Sequence, residues 1–270
     1  MARNKPTVAR ATHANRGLEM KYRRSIEAMI AKMHSSTIYW LQAAYRKDPP
    51  RMAAIVEQAQ DAWLPTMEIL ASLKELRDRW TKFFSESGYS VAKKYAARMF
   101  STSDNAFQAS LKDSGWAVKL EMTPAMKDAM EASIQGNVGL IKSIPGQYHD
   151  QVQEIVMRNY AAGRQLQPMV QELEALYPKA KHRAKLIARD QSNKIHATTT
   201  RARQLELGIT EAIWMHSHGG KEPRPDHVAA NGRKYNVAEG CLISGEYILP
   251  GTMINCRCTC RSVFPFEVAA

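Results

Sequence analysis

Cysteine is scarce: four in 270 residues, all in the last thirty. That excludes a disulfide scaffold and confines any thiol chemistry to the C-terminal end. Long apolar runs are also missing, and none approaches the ~20 residues a membrane helix needs. No basic stretch followed by an apolar core and a small-residue cleavage site opens the chain, so a secretory leader is not expected. No aromatic residue alternates with the basic residues of 178–203, which argues against a base-stacking platform. The metallohydrolase patterns His-x-x-x-His and His-Glu-x-x-His are absent, as is the zinc-deaminase pattern. Gly219-Gly220-Lys221 is not a phosphate loop, because it lacks the earlier glycine and the following Ser or Thr. Acidic residues are under-represented: 26 Asp+Glu against 38 Lys+Arg leave a formal charge of +12.

An apolar content of 44% excludes wholesale disorder. The length fits one large domain or two small ones at roughly 100–200 residues each. The positive charge is concentrated in two blocks. Residues 1–47 hold ten Lys/Arg and two acids, and residues 178–203 hold eight basic residues and one acid. Two such blocks point to a polyanion or an acidic protein surface as partner, with Arg183, Lys185, Arg189, Arg201 and Arg203 as contact candidates.

Periodicity predicts a mainly α protein: a multi-helix body with a small C-terminal α+β cap. Residues 1–18 are polar and without period, and read as a flexible basic arm that orders on a partner. A helical region spans 19–120. Tyr22, Ile26, Met29, Ile30, Met33 and Leu41 mark its first face, and Asp48-Pro49-Pro50 stops that helix. A second helix carries Met52, Ile55, Val56, Ala59 and Trp63, with Pro65 interrupting or kinking it. Ile69, Leu73, Leu76, Trp80 and Phe83 form a third stripe ended by Gly88, and shorter helices follow over 89–100 and 105–116. These Met and aromatic stripes read as core, since helical spacing explains them.

A further helical part spans 121–208. Thr123-Pro124 opens it, Thr as N-cap and Pro at N1. Ile144-Pro145-Gly146 breaks it, Gly163 closes the next helix, Pro168 starts another, and Tyr177-Pro178 ends that one. A long basic helix then runs from about 180 to Gly208. In the cap, 209–270, short runs at Ala212–Met215, Gly232–Val237, Tyr247–Leu249 and Cys258–Phe264 read as strands.

The cap is poor in apolar residues yet contains His216, His218, His227, Cys241, Cys256, Cys258 and Cys260. So small a unit needs a staple, and zinc suits thiolate and imidazole donors. Cys256 and Cys258 leave one face of an extended strand, so both sulfurs can reach one ion. His227 and Cys241 complete the expected structural Zn set, with Cys260, His216 and His218 competing for the fourth place. Reduced buried thiols without metal, a disulfide, and a compact His-metal nuclease built on His216, His218 and His227 are the competing readings.

The stretch from about 137 to 261 resembles the phage Mu F-like minor head protein family. The pieces that carry this are Ile141-Lys142-Ser143-Ile144-Pro145, Gly163, Ala188-Arg189-Asp190-Gln191, Gly208-Ile209, Trp214, Arg224-Pro225-Asp226-His227, Asn231-Gly232, Pro250-Gly251 and Asn255-Cys256-Arg257-Cys258. The first 120 or so residues show no such match. Family members usually have an Asp just before the Arg-Pro-x-His piece, where this chain has Glu222. Some place a Cys-x-x-Cys at Arg224 and His227, which supports His227 as a ligand and leaves Arg224 unable to be one. Some larger relatives carry an appended toxin or nuclease domain, and none is expected after Phe264-Pro265-Phe266 here. The resemblance implies a minor capsid (head morphogenesis) protein of a tailed phage, not an enzyme. Such a protein sits in the virion near the portal vertex and is made in the host cytoplasm. Its implied partners are the portal protein, the major capsid protein and packaged DNA, with no membrane required, and its roles are head assembly, DNA packaging or genome ejection. A metal-dependent nuclease and a general DNA-binding protein are the alternatives.

Overall fold

The computed structural model describes residues 8–47, 63–162, 165–220 and 222–264. Along the chain run α1 (Arg16–Lys47), α2 (Trp63–Asp113), α3 (Pro124–Ala161), α4 (Leu166–Glu174), α5 (Leu176–Glu206), β1 (Glu211–Met215), α6 (Pro225–Ala229), β2 (Lys234–Asn236), β3 (Cys241–Ile243), β4 (Glu246–Ile248) and β5 (Thr259–Val263). The protein is mainly α with a small C-terminal strand region. Asp48-Pro49-Pro50, most of the expected second helix and Gly163 lie outside the described residues. The chain divides into two compact units, each assembled from separated stretches. One comprises Met1–Lys21, Lys93–Gln135 and Leu186–Ala270, and the other Tyr22–Ala92 and Gly136–Lys185.

Within the second unit the helices are longer than the punctuation residues suggest. Pro65 and Pro178 fall in the first turns of α2 and α5, where a missing N–H leaves no bond unmade. Gly88 does not end α2. A Cβ there would lie 2.7 Å from Ile141 Cγ2, so this glycine permits close approach to α3. Pro145 likewise sits inside α3. An interior proline costs ~3 kcal/mol, but Ile141, Ile144, Tyr148 and Val152 are buried on either side of it. At ~1.5–3 kcal/mol per buried side chain, packing outweighs the lost bond. The α2 stripe drifts so that Phe84, not Phe83, is fully buried. Tyr22 donates to Asn137 Oδ1 at 2.8 Å across this core.

In the first unit Thr123 caps α3 as expected, its Oγ1 accepting from Met126 N at 3.3 Å. At the end of α5, Gly208 adopts φ +67. Ile209 N donates to Gln204 O and Gly208 N to Leu205 O, the paired bonds of a Schellman cap. The chain then enters an antiparallel sheet of order β2-β1-β5, with Ala212 opposite Tyr235 and Trp214 opposite Cys260. β3 and β4 form a separate hairpin. The sequence reading anticipated neither β3 nor α6. Each is shorter than a periodicity window can resolve.

The expected arm needs correcting over its described part. Residues 8–15 are held by this chain itself. Ala9 N donates to Ser262 O at 3.0 Å, Arg261 Nε to Ala9 O at 2.9 Å and Thr259 Oγ1 to Thr12 O at 2.7 Å. Ala9 is buried with Phe107, Leu111, Ile209 and Phe264. Backbone pairing along β5 anchors a segment whose own side chains are too polar to reveal it.

Candidate metal centre

Three residues from two places in the cap converge. His227 is carried by α6, which Pro225 starts at N1. Cys256 and Cys258 lie in the irregular segment just before β5, not in the strand itself. All three are buried. His227 Nδ1 is 3.5 Å from Cys256 Sγ and 3.7 Å from Cys258 Sγ. Tetrahedral bonds of about 2.3 Å to sulfur and about 2.0–2.1 Å to nitrogen separate those donors by roughly 3.5–3.6 Å. Among the described residues, these three are the group of His, Cys, Asp and Glu whose donor atoms lie within 4.8 Å of one another. The geometry therefore fits an ion bound through Nδ1, two thiolates and a further ligand.

The thiols are already unequal. The Cys258 S–H donates to Cys256 and holds Cys256 below the ordinary thiol range, with burial opposing and the His227 ring assisting. Cys258 is pushed up by the same bond and by burial. Metal binding removes the proton that remains on Cys258.

The long helix α5 positions the thiol segment. Asp190 Oδ1 accepts from Asn255 N at 3.0 Å, and Asn193 Nδ2 donates to Cys256 O at 2.8 Å. Asn255 has φ +60, a conformation asparagine tolerates. At Gly251 (φ +84) a Cβ would meet Ala197 Cβ and Cys258 O at 3.2 Å and Asn193 O at 3.3 Å, so the turn lies flat on the helix. Gly251 N also donates to Cys256 Sγ at 3.4 Å. On the histidine side, Asp226 Oδ1 accepts from His227 N at 2.8 Å. The fully buried Trp214 stands perpendicular to the His227 ring, centroids 5.1 Å apart. Asn231 Oδ1 receives His216 N at 2.9 Å, and Gly232 N donates to Trp214 O at 2.8 Å. The motif fragments Asp190, Trp214, Asn231-Gly232 and Pro250-Gly251 thus surround and aim the ligands. In the sequence these residues stand only as motif fragments, because their contacts with the ligands are made in space and leave no local pattern.

The expected fourth donors are distributed unequally. Cys241 stands outside the group, buried on β3 beside Ile248 and packed with Tyr235 and Val237. Burial pushes its thiol up. Cys260 is directed elsewhere, receiving Gln204 Nε2 at 3.5 Å. His216 borders the same cavity as the three ligands, but its Nδ1 accepts from His218 N at 3.1 Å. Burial lowers its pKa, with His218 adding to the effect. His218 is exposed and packs edge-on against His216.

Of the basic candidates, Arg203 is a correction: it is 1% exposed and structural. Its Nε and Nη2 grip both oxygens of Asp104 at 2.6 and 3.0 Å, and Nη1 donates to Glu206 Oε2 at 2.6 Å and Glu121 O at 2.7 Å. Arg201 is committed to the Val237 and Ala238 carbonyls at 3.1 and 2.6 Å. Arg183 donates to Ser143 Oγ at 2.8 Å. Lys185 and Arg189 are half-buried, Lys179 is exposed, and Lys181 lies over the Tyr177 ring at 5.2 Å.

Helical body, short-stranded cap and His/Cys2 centre together define a helical protein with a C-terminal module that a metal can clip. Residues 150–261 match the family described as Phage Mu protein F like protein, the family anticipated from the sequence. The chain is 34% identical over 139 residues to an uncharacterized protein of Haemophilus influenzae (strain ATCC 51907 / DSM 11121 / KW20 / Rd), covering 52% of this chain and 30% of the relative. No solved structure matches. Among the described residues, no helix is long and apolar enough to cross a membrane.

Proposed function

We propose that this chain is a structural minor capsid protein of a tailed phage, not an enzyme. It docks at the portal vertex or inner head wall and assists head assembly, DNA packaging or genome ejection. The portal protein is its main partner, with the major capsid protein and packaged DNA as further contacts. It is made in the host cytoplasm and retained in the virion. The observation that carries this reading is the family match over residues 150–261, which spans the ligand residues and the helix that aims them. The cap holds Zn²⁺ through His227, Cys256 and Cys258. Soft thiolates with imidazole favour that ion, and a cap of short strands gains from the clip.

Particles assembled without the protein test the reading. Loss of packaging or infectivity, with the wild-type protein found beside the portal in intact heads, is the expected result. A protein absent from purified heads refutes it. Duplex binding by the free protein with a steep salt dependence, weakened by Lys181→Gln and Lys185→Gln, would favour the general DNA-binding alternative. Metal-dependent DNA cleavage lost in His216→Ala/His218→Ala with the fold retained would favour the nuclease.

A further inference from the structure

We propose that an ion held by His227, Cys256 and Cys258 keeps its fourth position open and takes an anionic donor from outside the chain. This rests on the metal reading given under the proposed function. Three observations lead to it. Among the described residues, no fourth His, Cys, Asp or Glu joins the three-donor group. Cys241, the most natural partner by sequence, is buried in the same apolar cluster as Cys256 and Cys258, yet its sulfur is not among the donor atoms that lie within 4.8 Å of one another. And the three ligands share an open cavity of ≈ 360 Å³, far larger than one water needs. A closed structural site surrounds its ion with four protein donors, whereas three donors facing a cavity leave a place for an incoming ligand.

The cavity wall indicates the charge of that ligand. Arg224 and Arg257 both line it. Arg224 Nη2 donates to Ile254 O at 3.0 Å, which fixes its guanidinium at the rim. Arg257 Nη1 lies 3.3 Å from where a Cβ on Gly219 would be, so Gly219 leaves room for the second guanidinium. Two thiolates neutralise a divalent ion. An added anion leaves the centre with one negative charge, which paired guanidiniums offset by charge-assisted hydrogen bonds. Glu222, on the same wall, is the chain's own competing anion. His216 is its competing neutral donor, although its Nδ1 already accepts the His218 amide.

Cobalt(II) spectroscopy of the full-length protein, with azide as probe, tests this. A thiolate-to-cobalt charge-transfer band reports the ion on the cysteines. Saturable movement of the visible ligand-field bands by azide, with the charge-transfer band retained, reports the open position. Both are expected in the wild type and in Glu222→Gln, and Arg257→Gln should weaken azide binding by about tenfold. A charge-transfer band with no azide response overturns the open position and leaves the metal reading intact. A response gained in His216→Ala or in Glu222→Gln then names the donor that closes the site. Azide that strips the cobalt also counts against the proposal. No charge-transfer band at all overturns the metal reading and the proposal with it.

Discussion

Asp104→Ala should destabilise the unit containing α5's C-terminal half by ~3 kcal/mol, the lower end of the ~3–5 kcal/mol observed when one member of a buried ion pair is removed. The Arg203 side chain is 1% exposed, and its guanidinium grips both Asp104 oxygens. Deleting that carboxylate leaves a buried cation supported by Glu206 and the Glu121 carbonyl alone among the bonds seen. Those remaining partners, and the 30% exposure of the Glu206 side chain, keep the cost near the bottom of the range. For a unit of this size the loss corresponds to about 6–12 °C in Tm. Thermal and urea unfolding of Asp104→Ala, Arg203→Met and Asp104→Leu/Arg203→Met measure it. The double variant, with both charges gone and the volume kept apolar, should recover much of the loss. If Asp104→Ala unfolds within ~1 kcal/mol of wild type while Arg203→Met selectively weakens binding to DNA or portal, Arg203 is a contact residue and the structural assignment fails.

Other perturbations follow from the same contacts. Gly251→Ala should cost ~2–4 kcal/mol, combining a positive-φ penalty with crowding against Asn193 and Cys258, and should lower metal affinity measured by competition with a chromophoric chelator. Gly88→Ala should destabilise the other unit by ~1–3 kcal/mol despite its better helix propensity, and Ile141→Ala in the same chain should relieve part of that, as urea titration would show. Burial lowers the pKa values of His149 and His196 to about 4. Each therefore stays neutral when folded but binds a proton when unfolded, so its stabilising contribution is complete above about pH 6.5 and is lost as pH falls toward about 4. His196→Asn should flatten the stability-against-pH curve in that window; an unchanged slope would show that His196 titrates normally in the fold.

The helical character and the three metal donors were legible because each rests on a strong local signal. Apolar residues at three- and four-residue steps mark α1, and all six of its quoted stripe residues are buried. Cys256-x-Cys258 places two sulfurs together whether or not the backbone is in a ladder. Interruptions were misread where tertiary packing overrides local preference. Gly88 accommodates Ile141, and Pro145 stays helical between buried Ile144 and buried Tyr148. The Cys241 expectation followed from its type and its place in the cap. Its place outside the donor group goes with β3, a three-residue strand defined by pairing with β4, which no single-sequence period reveals. Arg203 read as surface charge because its acidic partners lie at Asp104, 99 residues away, and at Glu206, where an (i, i+3) pair does not by itself signal burial.

Val8 bridges Val263, and Thr12 meets His196 and Thr259, so the earliest described residues are secured by some of the latest. During synthesis the two units cannot mature together. The stretches Tyr22–Ala92 and Gly136–Lys185 are all available once Lys185 has left the ribosome. The other unit waits for the cap, because the strand that receives its N-terminal segment is made last. Until translation reaches β5, Ala9 has no backbone to pair with. Translational stalling before residue 259 would therefore leave a nascent chain with one finished unit and an undocked leading segment, open to chaperones or to an early assembly partner.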